Sequence, residues 1–218
     1  MTDLAKRGHV HAIGFGQAAR ADSMTQQWLR DGFIQTFVEE IPAAESKHAD
    51  GGPHFGLWIS NEGWRKFPYA MAAATARVPG GNLHFNGEHQ RLVEFSNMVG
   101  LKTQAHGAGL FDAEELNKWM RLMHLNLYVT LSECCPMLPL ESLAVGTPCL
   151  VGPNSHLFRD DRYLFDRLVV PFPDSSESIY EKMVQAMEER TEIIDAYRAY
   201  APEYNALAKR SVEEFMDL

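Results

Sequence analysis

The stretch that decides the fold is LNLYVTLSECCPMLPLESLAVGTPCLVG, Leu125 to Gly152, with glutamates at Glu133 and Glu141 and prolines at Pro136, Pro139 and Pro148. The apolar run Leu125–Leu131 is short and bounded by turn-forming residues, which predicts a buried strand delivering Ser132 and Glu133 to its carboxyl end. A Pro-bounded loop over 134–139 follows, then a short helix over Pro139–Val145 with Glu141 in its first turn. Gly146-Thr147-Pro148 ends that helix, and Cys149–Val151 returns as a second strand. The free N–H groups at such a helix start can receive a phosphate, aided by the helix dipole. A carboxylate one turn in can accept hydrogen bonds from two neighbouring ribose hydroxyls, and Glu133 across the loop is placed to meet hydroxyls of whatever the phosphate carries. A plainer reading fits the spacing equally well: Glu141 as a partner of the helix dipole and Glu133 as a solvated loop residue.

Working outward, strand-like and helix-like segments alternate. On the amino-terminal side, strand His54–Ser60, helix Trp64–Arg77, strand Leu83–Phe85, helix Leu92–Val99 with Gly100 as its C-cap, and strand Lys102–Ala105 precede helix Ala113–Met123, capped by Asp112 with Glu115 at the capping-box position. On the carboxyl side, Ser178–Arg190 and Thr191–Leu218 read as amphipathic packing helices, with a break near Pro202. This alternation predicts an α/β fold, a Rossmann-like parallel sheet with helices on both faces, binding ligands at the carboxyl ends of its strands. The small, polar, Gly-rich run over 43–53 reads as a linker. The expected organisation is therefore residues 1–50 as remnant plus linker and 51–218 as the main domain.

With 218 residues, 45% apolar and 22% charged, the chain is long enough for a substantial core and ordinary for a soluble globular protein. The net charge of −9 argues against a nucleic-acid partner, since phosphate backbones are gripped by clustered Lys and Arg. A small anionic ligand needs only one or two local cations. The three cysteines, two of them adjacent, show neither disulfide nor zinc spacing, and no signal peptide or membrane span is evident. A reducing, cytoplasmic location is expected, with no metal or cofactor required by any motif.

The segment Glu133–Glu141 resembles the E-x7-E motif of retaining GT-B glycosyltransferases, group 1 type, the broad class that contains sucrose and glycogen synthases. The likeness extends along ESLAVGTPCLVG, Glu141 to Gly152, which resembles the family's E-A-x-A-x-G-x-P-V-I stretch nearly position by position. Upstream segments, from Phe55-Gly56-Leu57-Trp58 to Gly107–Leu116, correspond in order, so the resemblance runs from about Pro53 to the C-terminus. It implies the nucleotide-sugar-binding C-terminal domain of such an enzyme, with residues 1–42 left from the acceptor-side domain. It also implies roles: Glu141 on the ribose hydroxyls, Glu133 on the transferred sugar, and the backbone of Met137, Leu138 and Pro139 along the donor, although Pro139 has no N–H to offer. Family members place an Arg and a Lys on the diphosphate near Trp64-Arg65-Lys66. Here the two cations are adjacent, and helical neighbours point about 100° apart, so one of them is expected to face the phosphate: Lys66 by position, Arg65 second. His106, at a strand end, corresponds to a position that contacts the base. Ser155, His156 and Arg159 follow the last strand and are equally consistent with site or plain loop.

The implied partner is a nucleoside-diphosphate sugar, with an acceptor that the sequence does not identify. An acceptor-side domain needs roughly 100–200 residues, and about forty precede the linker. The chain alone is therefore expected to bind donor but transfer little, activity returning with a partner chain or within a longer protein. Two other classes stay open. Gly14-x-Gly16 with Ala19, followed by Glu39 and Glu40, outlines a dinucleotide-binding unit for NAD. The acidic composition also suits an inert α/β interaction module. His9 and His11 share one strand face but have no third ligand.

Overall fold

The computed structural model describes residues 51–133, 136–155 and 157–216. The expected remnant and linker over 1–50, the Gly14-x-Gly16 motif, His9, His11 and His156 lie outside them. The described residues fall into two units, the sheet with its helices up to Arg198 and the residues from Ala199 onward, which continue the last helix.

Five strands form one fully parallel sheet: β1 (His54–Leu57), β2 (Asn82–Asn86), β3 (Lys102–His106), β4 (Leu125–Tyr128) and β5 (Cys149–Val151), in spatial order β3-β2-β1-β4-β5. The chain builds outward from β1 to β3, then returns to the other side of β1 to lay down β4 and β5. The order thus reverses between β1 and β4, where Phe55 stands opposite Leu125. Loops leaving adjacent strands at such a reversal diverge to opposite sides and open a crevice at the carboxyl edge.

The interleaved helices are α1 (Pro68–Ala76), α2 (Gln90–Met98), α3 (Ala113–Leu122), α4 (Met137–Ala144), α5 (Arg162–Leu168), α6 (Ser176–Glu188) and α7 (Arg190–Met216). Inner strands are buried on both faces, as a helix-covered parallel sheet requires: Phe55, Leu57, Leu83, Phe85, Leu125 and Leu127 are fully enclosed. The edge strand β3 instead carries exposed Lys102 and Gln104, which discourages pairing with another chain. The predicted caps form. Asp112 accepts a 2.8 Å hydrogen bond from the Glu115 amide, and Gly100 takes the left-handed conformation (φ 71°) while Leu101 N–H closes on Ser96 C=O.

Three expectations need correction. The single helix over Trp64–Arg77 is two pieces, a 3-10 turn at Trp64–Lys66 and then α1, because Pro68 disfavours helical geometry at Phe67, which turns left-handed (φ 43°) and lets Pro68 open a new helix at N1. The helix expected at Pro139–Val145 begins at Met137, so Glu141 lies just beyond the first turn. The expected break near Pro202 does not occur, and Pro202 sits inside α7, costing one backbone hydrogen bond without ending the helix. Helix α5, capped by Asp161 on the Leu164 amide, is an addition to the expected elements, since its seven residues are too few to show a period.

Candidate functional site

The crevice between β1 and β4 is where the charged groups gather. Beyond β1 the chain runs through Ser60 and Asn61 into the 3-10 turn Trp64–Lys66, and beyond β4 it runs to Glu133. The two loops are stitched together. Leu131 N–H donates to Arg65 C=O at 2.7 Å, while Arg65 Nη1 donates to Ser132 C=O at 2.9 Å and to Glu133 Oε1 at 2.7 Å. The Arg65–Glu133 ion pair is half open to solvent on the arginine side, at 44% exposure, and mostly enclosed on the glutamate side, at 15%.

Lys66 is 6% exposed, with its ammonium 3.4 Å from Ser60 Oγ and 6.0 Å from the centre of the Tyr128 ring. Burial lowers the ammonium's pKa below the ordinary lysine range, an effect opposed by the negative charge of Glu133 and reinforced by the cation of Arg65. Both cations therefore bear on Glu133, whereas helical spacing predicts that only one would face the site. The tighter 3-10 turn and the reach of two long side chains bring them together. Tyr128, absent from the residues singled out by sequence, belongs to the same group. Its phenol is pushed upward by burial first, then by the charge of Glu133 and a hydrogen bond to it. Its signal in the sequence is slight: a polar-tipped aromatic at the last position of a buried strand.

Helix α4 enters from the same loop. Pro136 at its N-cap has no side-chain oxygen to offer, which leaves the amides of Met137 and Leu138 without a cap from that position. The Leu138 side chain packs on a buried cluster of Trp58, Met120, Met123 and Val145, anchoring the helix start through its apolar face. Glu141 is half-buried. Burial alone pushes its carboxyl above the ordinary glutamate range, and no charged neighbour contributes. It thus stands as a lone carboxyl, apart from the Arg65–Lys66–Glu133 group.

A buried polar network fixes α4 against the sheet. Asn126 of β4 accepts from Trp58 Nε1 at 2.8 Å and donates to Ser142 Oγ at 2.8 Å and Met120 C=O at 3.2 Å. Ser142 Oγ in turn donates to Thr147 C=O at 2.7 Å. The carboxamide lies so close to Gly56 that a Cβ there would sit 2.1 Å from Asn126 Oδ1, so only glycine admits the Trp58–Asn126 bond. Arg190 closes the far end of the helix. Its guanidinium donates to Gly146 C=O at 2.7 Å and to the carbonyls of Met123 and His124, placing a cation at the carboxyl termini of α3 and α4. Burial lowers its pKa to about 10.

His106 ends β3, on the far side of β1 from this group. Its ring is buried, stacked on Trp119 with centroids 3.7 Å apart and linked to His84 Nδ1 at 2.8 Å through Nε2. His84 Nε2 continues the chain to His54 Nδ1 at 2.7 Å. Register explains this ladder: Gly56 pairs with His84 and Asn86 with His106, so the three rings follow one diagonal of one sheet face. Ser155 is buried and accepts from Leu157 N–H, while Arg159 Nε donates to Ser155 C=O, so these two stabilise their own turn. Among the described residues no cluster of His, Cys, Asp or Glu could hold a metal ion, and no helix is long and apolar enough to cross a membrane.

Comparison with family models and with curated proteins returns no match for the sequence. Comparison with solved structures does. The chain is similar to HepE of Anabaena, solved in complex with UDP and glucose, with a TM-score of 0.77 at 13% identity over 100% of this chain and 66% of that one. It is similar to sucrose-phosphate synthase of Thermosynechococcus elongatus, with a TM-score of 0.69 at 15% identity over 94% of this chain and 57% of that one. It is similar also to the catalytic domain of the cholesterol-alpha-glucosyltransferase of Helicobacter pylori, with a TM-score of 0.56 at 16% identity over 69% of this chain and 98% of that one. The chain thus spans about two thirds or less of the first two proteins. Together with the parallel sheet and its reversal beside β1, these likenesses give the chain the fold of the C-terminal domain of the GT-B glycosyltransferases.

Proposed function

We propose that the chain is the donor-binding part of a retaining glycosyltransferase, holding a nucleoside-diphosphate sugar in the crevice between β1 and β4. The observation that carries this reading is the convergence of Arg65, Lys66, Glu133 and the uncapped start of α4 at the one place where the strand order reverses. The leaving diphosphate gains negative charge as the glycosidic bond breaks, and two cations in a partly desolvated site stabilise it. The amides of Met137 and Leu138 add dipolar support, while Pro139 contributes shape only. Glu141 takes the ribose hydroxyls, and Glu133 reads hydroxyls of the sugar. In this chemistry the departing diphosphate helps deprotonate the acceptor on the same face, so the protein's part is positioning and charge stabilisation rather than a dedicated base. The acceptor is held by a further domain or partner chain. Base contact falls to the backbone around His106 and Gly107, since the His106 ring is committed to Trp119 and His84.

The test is a thermal-shift series with UDP, GDP, ADP and NAD on the 218-residue chain and on Glu141→Ala. One nucleoside diphosphate is expected to raise the melting temperature of the native sequence, with most of that gain lost in Glu141→Ala. Stabilisation by NAD alone, or an equal shift in both proteins, overturns the reading.

A further inference from the structure

Arg65 already occupies one oxygen of the Glu133 carboxylate, which competes with the reading of a sugar there. Arg65 Nη1 sits 2.7 Å from Oε1, and the same nitrogen is held by Ser132 C=O at 2.9 Å, so the guanidinium is fixed against the Glu133 loop. The Tyr128 phenol and the Lys66 ammonium both lie within the electrostatic reach of the same carboxylate. One anion thus absorbs most of the positive charge in the crevice. Counting Arg65 and Lys66 against Glu133 leaves a single net positive charge, and Arg65 can bond a diphosphate fully only by turning from the carboxylate towards the ligand.

Resting on the donor-binding reading, we propose that Glu133 and the donor's diphosphate compete for Arg65, the Arg65–Glu133 bridge giving way when the diphosphate arrives. On binding, the diphosphate takes the guanidinium, and the carboxylate so released is the group that bonds the sugar hydroxyls. Occupation of the phosphate subsite is thereby coupled to reading of the sugar. A diphosphate without a sugar releases Glu133 with nothing to receive it, whereas a sugar nucleotide supplies the replacement bonds. The geometry suits an exchange. The arginine is the more exposed partner of the pair and leaves by giving up its bonds to Glu133 and Ser132 C=O, while Glu133 keeps Tyr128 and Lys66 as company when the bridge opens. A partly exposed ion pair contributes modestly, so breaking it should alter diphosphate affinity only about threefold to fivefold.

The experiment is calorimetric titration of the full chain with inorganic pyrophosphate, in the native sequence, Glu133→Gln, Arg65→Ala and the double variant, each checked for an unchanged far-ultraviolet spectrum. The exchange predicts tighter pyrophosphate binding in Glu133→Gln, weaker binding in Arg65→Ala, and a smaller tightening by Glu133→Gln once Arg65 is gone. Tightening that persists undiminished in the Arg65→Ala background shows simple charge repulsion and overturns the exchange. Weaker binding in Glu133→Gln overturns it too, by showing that Glu133 holds Arg65 in place for the phosphate. Should the double variant not fold, the Nη signals of Arg65 in nitrogen-15 spectra of the native chain decide: they must change on adding pyrophosphate, and unchanged signals sink the idea. A Glu141-dependent nucleotide shift without Arg65–Glu133 coupling removes the exchange alone. Absence of both nucleotide and pyrophosphate binding removes the donor reading and the exchange together.

Discussion

Glu141 shows how a binding carboxylate differs from a structural one. An acidic side chain present for the helix dipole belongs in the first turn and gains by being charged, with its pKa lowered. Glu141 lies beyond the first turn, and burial raises its pKa with no cation to compensate. A carboxyl whose folded pKa exceeds its unfolded value contributes stability in full below the unfolded value and loses it as the pH climbs through the folded one. The ligand-free chain therefore carries a cost at neutral pH. Glu141→Gln is expected to melt higher than the native sequence at pH 7, with the advantage shrinking as the pH falls through the raised folded value towards the ordinary glutamate value of 4.5. Melting curves from about pH 3.5 to 7.5 check this, and a variant less stable at every pH would show Glu141 to be a fold-stabilising ion. The same variant should lose nucleotide-induced stabilisation, because an amide accepts through one oxygen where the carboxylate offers two.

Among the elements, α4 depends on partners outside itself. It has only eight residues, below the length at which a helix holds by its own hydrogen bonds. Its position is fixed by Leu138 in the Trp58 cluster, by Ser142 on Asn126, by Tyr197 donating to Leu140 C=O at 3.2 Å, and by Arg190 at its carboxyl end. Asn126 is the centre of this arrangement, with its carboxamide oxygen and both amide bonds satisfied in the interior. Asn126→Leu leaves the Trp58 N–H buried without a partner and removes the amide bonds to Ser142 Oγ and the Met120 carbonyl, a loss of about 2–4 kcal/mol. Urea unfolding at unchanged slope is the measurement, and a change under about 1 kcal/mol would mean that water or relaxation replaces the network. In the sequence, Gly56 belongs to the family-like stretch by residue type alone. Its physical role, making room for Asn126, emerges only when β1 and β4 are laid side by side.

For the molecule as a whole, the sheet order directs ligands to one edge. The carboxyl ends of β1 and β4 carry the cations, Glu133 and the start of α4. The amino ends of β1 and β2 carry His54 and Asn82, and the His54–His84–His106 ladder crosses one face between them and the end of β3. Amide hydrogen exchange with the stabilising nucleotide should slow in the segments 59–66, 129–133 and 137–141 and stay unchanged at 52–54 and 80–83. Protection concentrated at the amino ends of the strands would place the ligand elsewhere and defeat the proposed function. The net charge of −9 makes the paired cations at this crevice a local exception on an acidic chain. Selection of a small anion over a polyanion therefore rests on the crevice and not on a broad field.

Periodicity, turn residues and caps determined the alternation of strands and helices from Pro53 onward and the Asp112 and Gly100 caps, because these are set by neighbours a few residues away in the chain. The strand expected to run to Leu131 stops at Tyr128, so Glu133 lies in the loop beyond it. Three features were settled only by the tertiary structure. The adjacency of β1 and β4 brings Arg65 to Glu133 across sixty-eight positions. The commitment of the His106 ring to Trp119 and His84 depends on register between strands. The burial of Lys66 beneath Tyr128 likewise needs both loops in place. The reason is common to all three: hydrogen-bond pairing between strands and the depth at which a charge is buried depend on distances through space, which local sequence patterns do not encode.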